Sequence, residues 1–234
     1  MVSIVDGVDA TGSNFTALAA VPVSYVKAGY ATGSAGVAWS AAQFGKYPGS
    51  IVIDQDVKAS DVSADVLDYE SGAATLADLA PWKKAAQVSY LSGKRPGQRE
   101  PAVYCSLSGV TAVVNALVAG GVSACPLWMA HYGIGRAAAV SILNASNGPF
   151  PIVGVQYSDQ GGGGVYDLDV FLTSWAGTVS GKKTVPVPQS PPGQWLNPAA
   201  WTWQTGVTVS GSGLDNVRHS FMFNASTGGW VKQS

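Results

Sequence analysis

The chain has 234 residues, and its 13 Lys+Arg against 14 Asp+Glu leave a formal net charge of −1. That balance excludes the strongly basic surface through which proteins hold nucleic acid or anionic lipid, and 47% hydrophobic residues exclude disorder as the main state. Only 12% of residues are charged and 29 are glycine, so the surface is rich in Gly, Ala, Ser and Thr, as suits a protein packed among neighbours or working outside a cell.

Short apolar runs alternate with Ala-rich stretches over most of the chain, the pattern of repeated strand-helix units. Residues 4–9 predict a first strand and 14–18 a short helix. Residues 24–30 predict a second strand, and 37–44 a helix closing on Gly45. A third strand falls at 50–54 and a fourth within 62–70. The longest helix is expected over about 76–91, ended by Gly93 and Pro96. Residues 101–105 predict a fifth strand, about 109–119 an apolar helix, and 126–132 a sixth strand. Residues 136–140 predict a single helical turn or a structured loop. The seventh and eighth strands fall at 152–157 and 166–171. Eight strands with intervening helices predict an α/β fold, a shortened (β/α)8-like (TIM-type) barrel. A full barrel usually takes roughly 250 residues, so helices must be trimmed, most of all after the sixth strand.

The fourth strand carries the chemistry. In Asp65-Val66-Leu67-Asp68-Tyr69-Glu70, alternation puts Asp68 and Glu70 on one face and Tyr69 on the other. Glycosidic-bond cleavage needs such a pair, one carboxyl held protonated as general acid and the other ionised nearby. Active groups of these barrels sit at the carboxyl ends of the strands. There the sequence places Asp9, Asp54 and Asp56, Asp68 and Glu70, and Asp167 or Asp169, acids from distant segments expected to converge on one mouth. Asp54 and Asp56 have the same two-residue spacing and form a rival pair. His131 alternates away from Trp128 and Tyr132, so a packed or outer-face histidine is expected there. The run Gly161-Gly162-Gly163-Gly164 is no phosphate loop, having neither the lysine nor the following helix.

These residues carry a resemblance. Gly7-Val8-Asp9-Ala10-Thr11 resembles the opening G-[IV]-D-V-S motif of glycoside hydrolase family 25, the lysozyme-like muramidases. Tyr25-Val26-Lys27-Ala28 resembles that family's second strand, and Asp68-Tyr69-Glu70 its D-x-E. Leu127-Trp128-Met129-Ala130-His131-Tyr132 resembles its L-W-x-A-x-Y strand. Gln156-Tyr157-Ser158 with Tyr166-Asp167-Leu168-Asp169-Val170-Phe171 resembles its closing W-Q-Y and D-L-N-x-F segments. The sequence departs from the pattern at Val155, where Trp is frequent, at Asp169, where Asn is usual, and at Asp54-Gln55-Asp56, which has no counterpart.

The resemblance implies a retaining glycoside hydrolase on a shortened barrel, acting on peptidoglycan or another surface glycan. It makes Glu70 the general acid, Asp68 the group that orients the substrate's acetamido group, and Asp9 and Asp167 the rest of an acidic cleft. Trp128, Tyr132 and Tyr157 become sugar platforms, since aromatic faces suit the apolar C–H faces of pyranose rings. Gln156 and Lys27 complete the substrate-binding set. No cofactor or metal is expected, and Cys105 and Cys125, the only cysteines, have neither metal-ligand spacing nor a disulfide framework.

Beyond the barrel, expected over 1–180, a Pro-rich extended linker is predicted at 181–194. The remainder, 195–234, predicts short strands carrying Trp195, Trp201, Trp203 and Trp230. About 40 residues rarely fold alone without disulfides or metals, so this segment is expected to pack on the barrel, on other particle proteins or on copies of the chain, with a small sugar-binding module as the alternative. The first residues show no basic segment leading into an apolar core, and no run is long enough for a bilayer, so cytoplasmic synthesis without ordinary export and no membrane partner are expected. A muramidase must nevertheless reach a wall. These requirements together predict a bacteriophage virion-associated protein. The alternatives are a non-catalytic structural virion protein with a degenerate barrel, and a free endolysin.

Overall fold

The computed structural model describes residues 2–55, 63–93 and 99–177, together with the backbone of four short strands between 202 and 233. It divides into two compact units, Met1–Thr184 and Val185–Ser234.

The first unit is a closed eight-stranded barrel in sequence order. Its strands are β1 (Ile4–Ala10), β2 (Val26–Tyr30), β3 (Ile51–Asp54), β4 (Val66–Tyr69), β5 (Ala102–Ser106), β6 (Leu127–Ala130), β7 (Ile152–Gly161) and β8 (Tyr166–Leu172). Neighbours from β1 to β7 pair in parallel. β8 is antiparallel to both β7 and β1, so the barrel is mixed rather than all-parallel as the sequence predicts. The cause is local. A parallel pair needs a crossover connection, whereas an antiparallel pair closes through a tight turn, and here the turn is glycine. Gly162, Gly163 and Gly164 hold φ of 57, 81 and 88°, left-handed values that side chains disfavour. β7 accordingly runs on to Gly161, four residues past its predicted end.

Helices α2 (Leu76–Leu91) and α3 (Val110–Ala119) cover one flank of the barrel, burying Leu79, Trp82, Val113 and Leu117 against Leu67, Val103, Cys105 and Leu127. The sequence expectation fails at α4, which is a full ten-residue helix, Arg136–Ala145, rather than a single turn. Ala139 and Leu143, one turn apart, are buried against Met129, Val155 and Val170, and that packing extends the Ala-rich helix. The helix expected over 37–44 is reduced to α1 (Ala41–Lys46). Ala38 is drawn into a bridge with Tyr30, and Ser40 caps the helix reciprocally with Gln43. A 3-10 helix, Gly12–Ala20, replaces the short helix expected at 14–18.

Inside the barrel, alternation brings Val26, Ala28, Ile51, Ile53, Val66, Ala102, Tyr104, Trp128 and Phe171 into one core. Phe171 fills the middle because its neighbours on both sides lack side chains: a Cβ at Gly7 or Gly154 would stand 2.4 or 2.6 Å from its ring. The amino end of the barrel is closed by buried Arg99. Its guanidinium donates to the carbonyls of Gly49, Ser50 and Ala176 and pairs with Asp65 at 3.2 Å. Among the described residues, no helix is long and apolar enough to cross a membrane.

The second unit contains an antiparallel sheet in the order β12 (Gly229–Gln233), β11 (Arg218–Asn224), β10 (Thr208–Ser212) and β9 (Thr202–Gln204). The Pro-rich stretch 181–194 and Trp195 and Trp201 lie outside the described residues, as do the side chains of Trp203 and Trp230.

Candidate active site

Polar side chains gather at the carboxyl ends of the parallel strands and the amino end of β8. The reversal of β8 matters here, because it brings Asp167 and Asp169 in at the mouth; a parallel eighth strand would place them near the opposite rim. Register sets Asp9 opposite Asp167 across the β1–β8 pair. Asp9, Asp68, Glu70, Asp167 and Asp169 form one acidic group whose members act on one another electrostatically. Among the described residues, no lysine or arginine is close enough to hold any of the five down.

Gln156 is the centre of this group. It is almost fully buried on β7. Its amide Nε2 donates to Asp9 at 2.7 Å and to Asp167 at 3.0 Å, while its Oε1 accepts from the hydroxyls of Tyr104 and Tyr132. A carboxamide has two N–H donors and two acceptor sites. All are spent inside the protein, so Gln156 holds the site together and has nothing left for a sugar.

Unpaired burial keeps protons on the acids. Burial pushes Asp9 up to about 6, even though Gln156, Asp169 and Tyr30 donate to it. Asp169, completely buried, is driven well above the carboxylate range by burial and by Asp9 and Asp167. It therefore carries the proton of the hydrogen bond it shares with Asp9, and its Oδ1 accepts from Trp128 Nε1 at 3.1 Å. Asp167 is raised to about 7 by burial and then by Asp9, Asp159 and Glu70. Asp68 is also raised to about 7, by burial and then by Glu70 and Asp9, although Gln55 Nε2 donates to its Oδ2 at 2.9 Å. Its Oδ1 is buried with no hydrogen-bond partner. Glu70, one residue beyond β4, is exposed at the mouth; partial desolvation raises its carboxyl, and the Tyr104 hydroxyl acts in the opposite direction and lowers it.

Several expected site residues are elsewhere. Lys27 follows the wrong alternation: Val26, Ala28 and Tyr30 face the interior, and Lys27 points through the outer wall. Its Nζ donates to the carbonyls of Pro22 and Tyr25 and lies over the Tyr47 ring at 5.8 Å. Tyr157 also faces outward, next to Gln156 in sequence and opposite in direction, packing on the α4 side. Trp128 does face inward, but one layer below the mouth, 1% exposed and edge-on to both Tyr104 and Phe171. It is a core residue and a donor to Asp169, not an open platform. Tyr132, 47% exposed, is the ring the mouth does offer. Asp54 alternates away from Ile53 and accepts from Thr32, so it does not join the acids, and Asp56 lies outside the described residues.

Tyr30, Gln55 and Tyr104 belong to the site without having been expected there. Tyr30 donates to Asp9 at 3.3 Å, and the other two contact Asp68 and Gln156. Each has the interior-facing parity of its own strand, and that parity was the available signal. No group of three or more His, Cys, Asp or Glu among the described residues is arranged to hold a metal ion. An apolar groove of about 700 Å³ lies on the outer flank, between α2 and α3, lined by Leu76, Ala80, Pro81, Lys84 and Ala116; it contains none of these acids.

Set against protein-family models, curated proteins and solved structures, the chain matches none. Its class is therefore defined by its own geometry: a closed mixed barrel with helices, bearing at one mouth a carboxyl cluster.

Proposed function

We propose that this chain is a muramidase-like protein, a shortened barrel resembling glycoside hydrolase family 25, whose mouth binds and hydrolyses peptidoglycan or another cell-surface glycan. The supporting observation is the contrast between the two acids of one strand end. Glu70 is exposed where a substrate oxygen can reach it, and its raised carboxyl suits a general acid. Asp68 is buried behind it with Oδ1 unpartnered, an acceptor suited to the N–H of an acetamido group. Asp169 is compatible with this reading although the family usually has Asn there, because a protonated carboxyl, like an amide, offers both a donor and an acceptor. Tyr132 would be the sugar platform.

The test is release of reducing ends from purified peptidoglycan by the full chain. Glu70→Gln should reduce the rate by at least ~10²-fold. If the intact chain releases nothing from any wall tested, hydrolysis is rejected and glycan binding remains to be measured by co-sedimentation with walls.

Location on a phage particle is the second part of the proposal, and the separate antiparallel unit Val185–Ser234 favours it as an attachment element. That unit equally serves a purely structural virion protein. Sedimentation of the full chain against residues 1–184 separates these readings from a free endolysin. An assembly lost on truncation supports attachment, and equal monomers reject it.

A further inference from the structure

The segment Asp54-Gln55-Asp56 has no counterpart in the family pattern, yet its middle residue reaches the site. Gln55 stands one residue beyond β3 and has the inward parity of Ile51 and Ile53. Its side-chain Nε2 donates to Asp68 Oδ2 at 2.9 Å. Its backbone N–H donates to Thr32 Oγ1 at 3.0 Å, and the Thr32 hydroxyl donates in turn to Asp54 Oδ1. Three strands are thereby linked, from the buried Asp54 carboxyl of β3 through the residue pair after β2 to the buried Asp68 of β4.

These bonds have one direction. An ionised carboxylate only accepts, and a hydroxyl has one proton to give. Asp54 takes the Thr32 proton, which turns a lone pair of Oγ1 toward the Gln55 N–H. A backbone bond from Ala31 N–H to the Ile53 carbonyl, at 2.6 Å, braces the same corner. The amide has room there because residue 33 is glycine. Its φ is 139°, and a Cβ would stand 2.8 Å from Gln55 Oε1. Oε1 thus lies against Gly33 while Nε2 faces Asp68. With Oδ2 occupied, the atom Asp68 has left is Oδ1, which has no partner.

We propose that Gln55, set in place by Thr32 and Asp54, is a positioning residue that turns Oδ1 of Asp68 to the ligand as an acceptor. A hydrogen bond to the charged form of a carboxyl favours that form. Gln55 therefore opposes burial and the charges of Glu70 and Asp9, which push Asp68 up to about 7. On the glycosidase reading, on which the substrate half of this inference rests, the acceptor so presented takes the acetamido N–H. The bond from Gln55 and its effect on Asp68 can be read without substrate.

The titratable groups that act on Asp68 or feel its charge are Asp9 of β1, Tyr30 of β2, Glu70 after β4 and Cys105 of β5, while Asp54 of β3 faces away. Among the described residues, Gln55 is hydrogen-bonded to none of the four, so replacing it leaves their own bonds in place.

The test follows the Asp68 carboxyl in the full chain without substrate, labelled with ¹³C-aspartate and assigned by Asp68→Asn. Gln55→Met keeps the length and removes the N–H, and should raise the Asp68 titration midpoint by about one pH unit. Thr32→Val should raise it in the same direction by less, and should add nothing in the Gln55→Met background. Thr32→Ser keeps the hydroxyl and should leave the midpoint in place. An effect of Thr32→Val carried by Asp54 alone would have the opposite sign, because Asp54 without its donor is neutralised more readily and relieves Asp68 of a negative charge. An unmoved or lowered midpoint in Gln55→Met overturns the proposal, as do equal midpoints in Thr32→Val and Thr32→Ser. If Gln55→Met does not fold, the two Thr32 variants decide alone. On peptidoglycan, the acid limb of kcat/KM, which reports the free protein, should move to higher pH in Gln55→Met together with the midpoint; a limb that stays in place rejects the substrate half. Midpoints that move as stated in a chain that cleaves no glycan keep the positioning role and reject the hydrolase reading, and cleavage with unmoved midpoints does the reverse.

Discussion

The amide of Gln156 donates to the carboxylate of Asp9 at 2.7 Å, across 147 residues of sequence and over an intervening strand. β8 lies between their two strands and contributes Asp169, whose own carboxyl shares a proton with Asp9. The site is therefore one connected network, and each member's protonation is set first by burial and then by its neighbours.

Asp169 should behave as a neutral residue. Asp169→Asn keeps a donor for Asp9 and an acceptor for Trp128, so stability should change by less than about 1 kcal/mol, and glycan turnover should survive. Asp169→Leu leaves the buried Trp128 indole N–H and Asp9 without a partner and should cost about 1–3 kcal/mol. Urea unfolding of both variants, followed by Trp fluorescence, measures the difference. Equal losses would show that Asp169 is ionised.

The acid cluster should make the protein more stable in mild acid than at neutral pH. Asp9, Asp68 and Asp167 are held near 6 to 7 in the folded protein, above their unfolded values near 3.9. The folded state thus binds more protons than the unfolded state across that window, and stability falls as pH rises from about 4 to 7. Each such carboxyl contributes a slope of at most ~1.4 kcal/mol per pH unit while the two states differ by a full proton. Tm should fall from pH 5 to pH 8, and Asp68→Asn should flatten the curve. A Tm that rises over this range would contradict the burial of these acids.

Arg99 should be the most sensitive charged position outside the mouth. Its guanidinium ties Gly49, Ser50, Asp65 and Ala176 together at the barrel floor. Arg99→Met removes the buried ion pair with Asp65 together with the carbonyl bonds and should destabilise by about 3–5 kcal/mol. Arg99→Lys should recover little, since an ammonium cannot span carbonyls on two segments and the Asp65 carboxylate on a third. Chemical denaturation midpoints decide this, and a near-neutral Arg99→Lys would show that charge alone closes the floor.

The glycines beside Phe171 should be intolerant of a methyl group. Gly7→Ala and Gly154→Ala each place a Cβ inside the ring's contact distance and should cost about 1–3 kcal/mol. Phe171→Leu should make either alanine less costly, although it opens a cavity of its own. Absence of such coupling in the double-mutant cycle would place the strain elsewhere.

The legible part of the site was the part that strand parity encodes. Asp9, Asp68 and Asp167 were readable because period-two alternation and position at strand ends are properties of short segments. Lys27 and Tyr157 were misplaced by following motif likeness over that same parity, which turns each of them away from its acidic neighbours. Trp128 has the right parity, but depth along the barrel axis depends on how eight strands are staggered, and no single strand reveals it. Gln156 carried a further signal, as a polar residue in an apolar strand, but its four partners come from three other strands and the turn after β6.

By itself the sequence determined that this protein builds eight strands, that acids end several of them, and that a separate strand-rich segment follows, because periodicity, turn residues and composition act locally. Tertiary structure alone decided that β8 runs in reverse, which turns a glycine-rich stretch into a hairpin and brings Asp167 and Asp169 to the mouth beside Asp9. It also decided which acids keep protons, since desolvation and shared hydrogen bonds arise only when distant strands close on one another and exclude water.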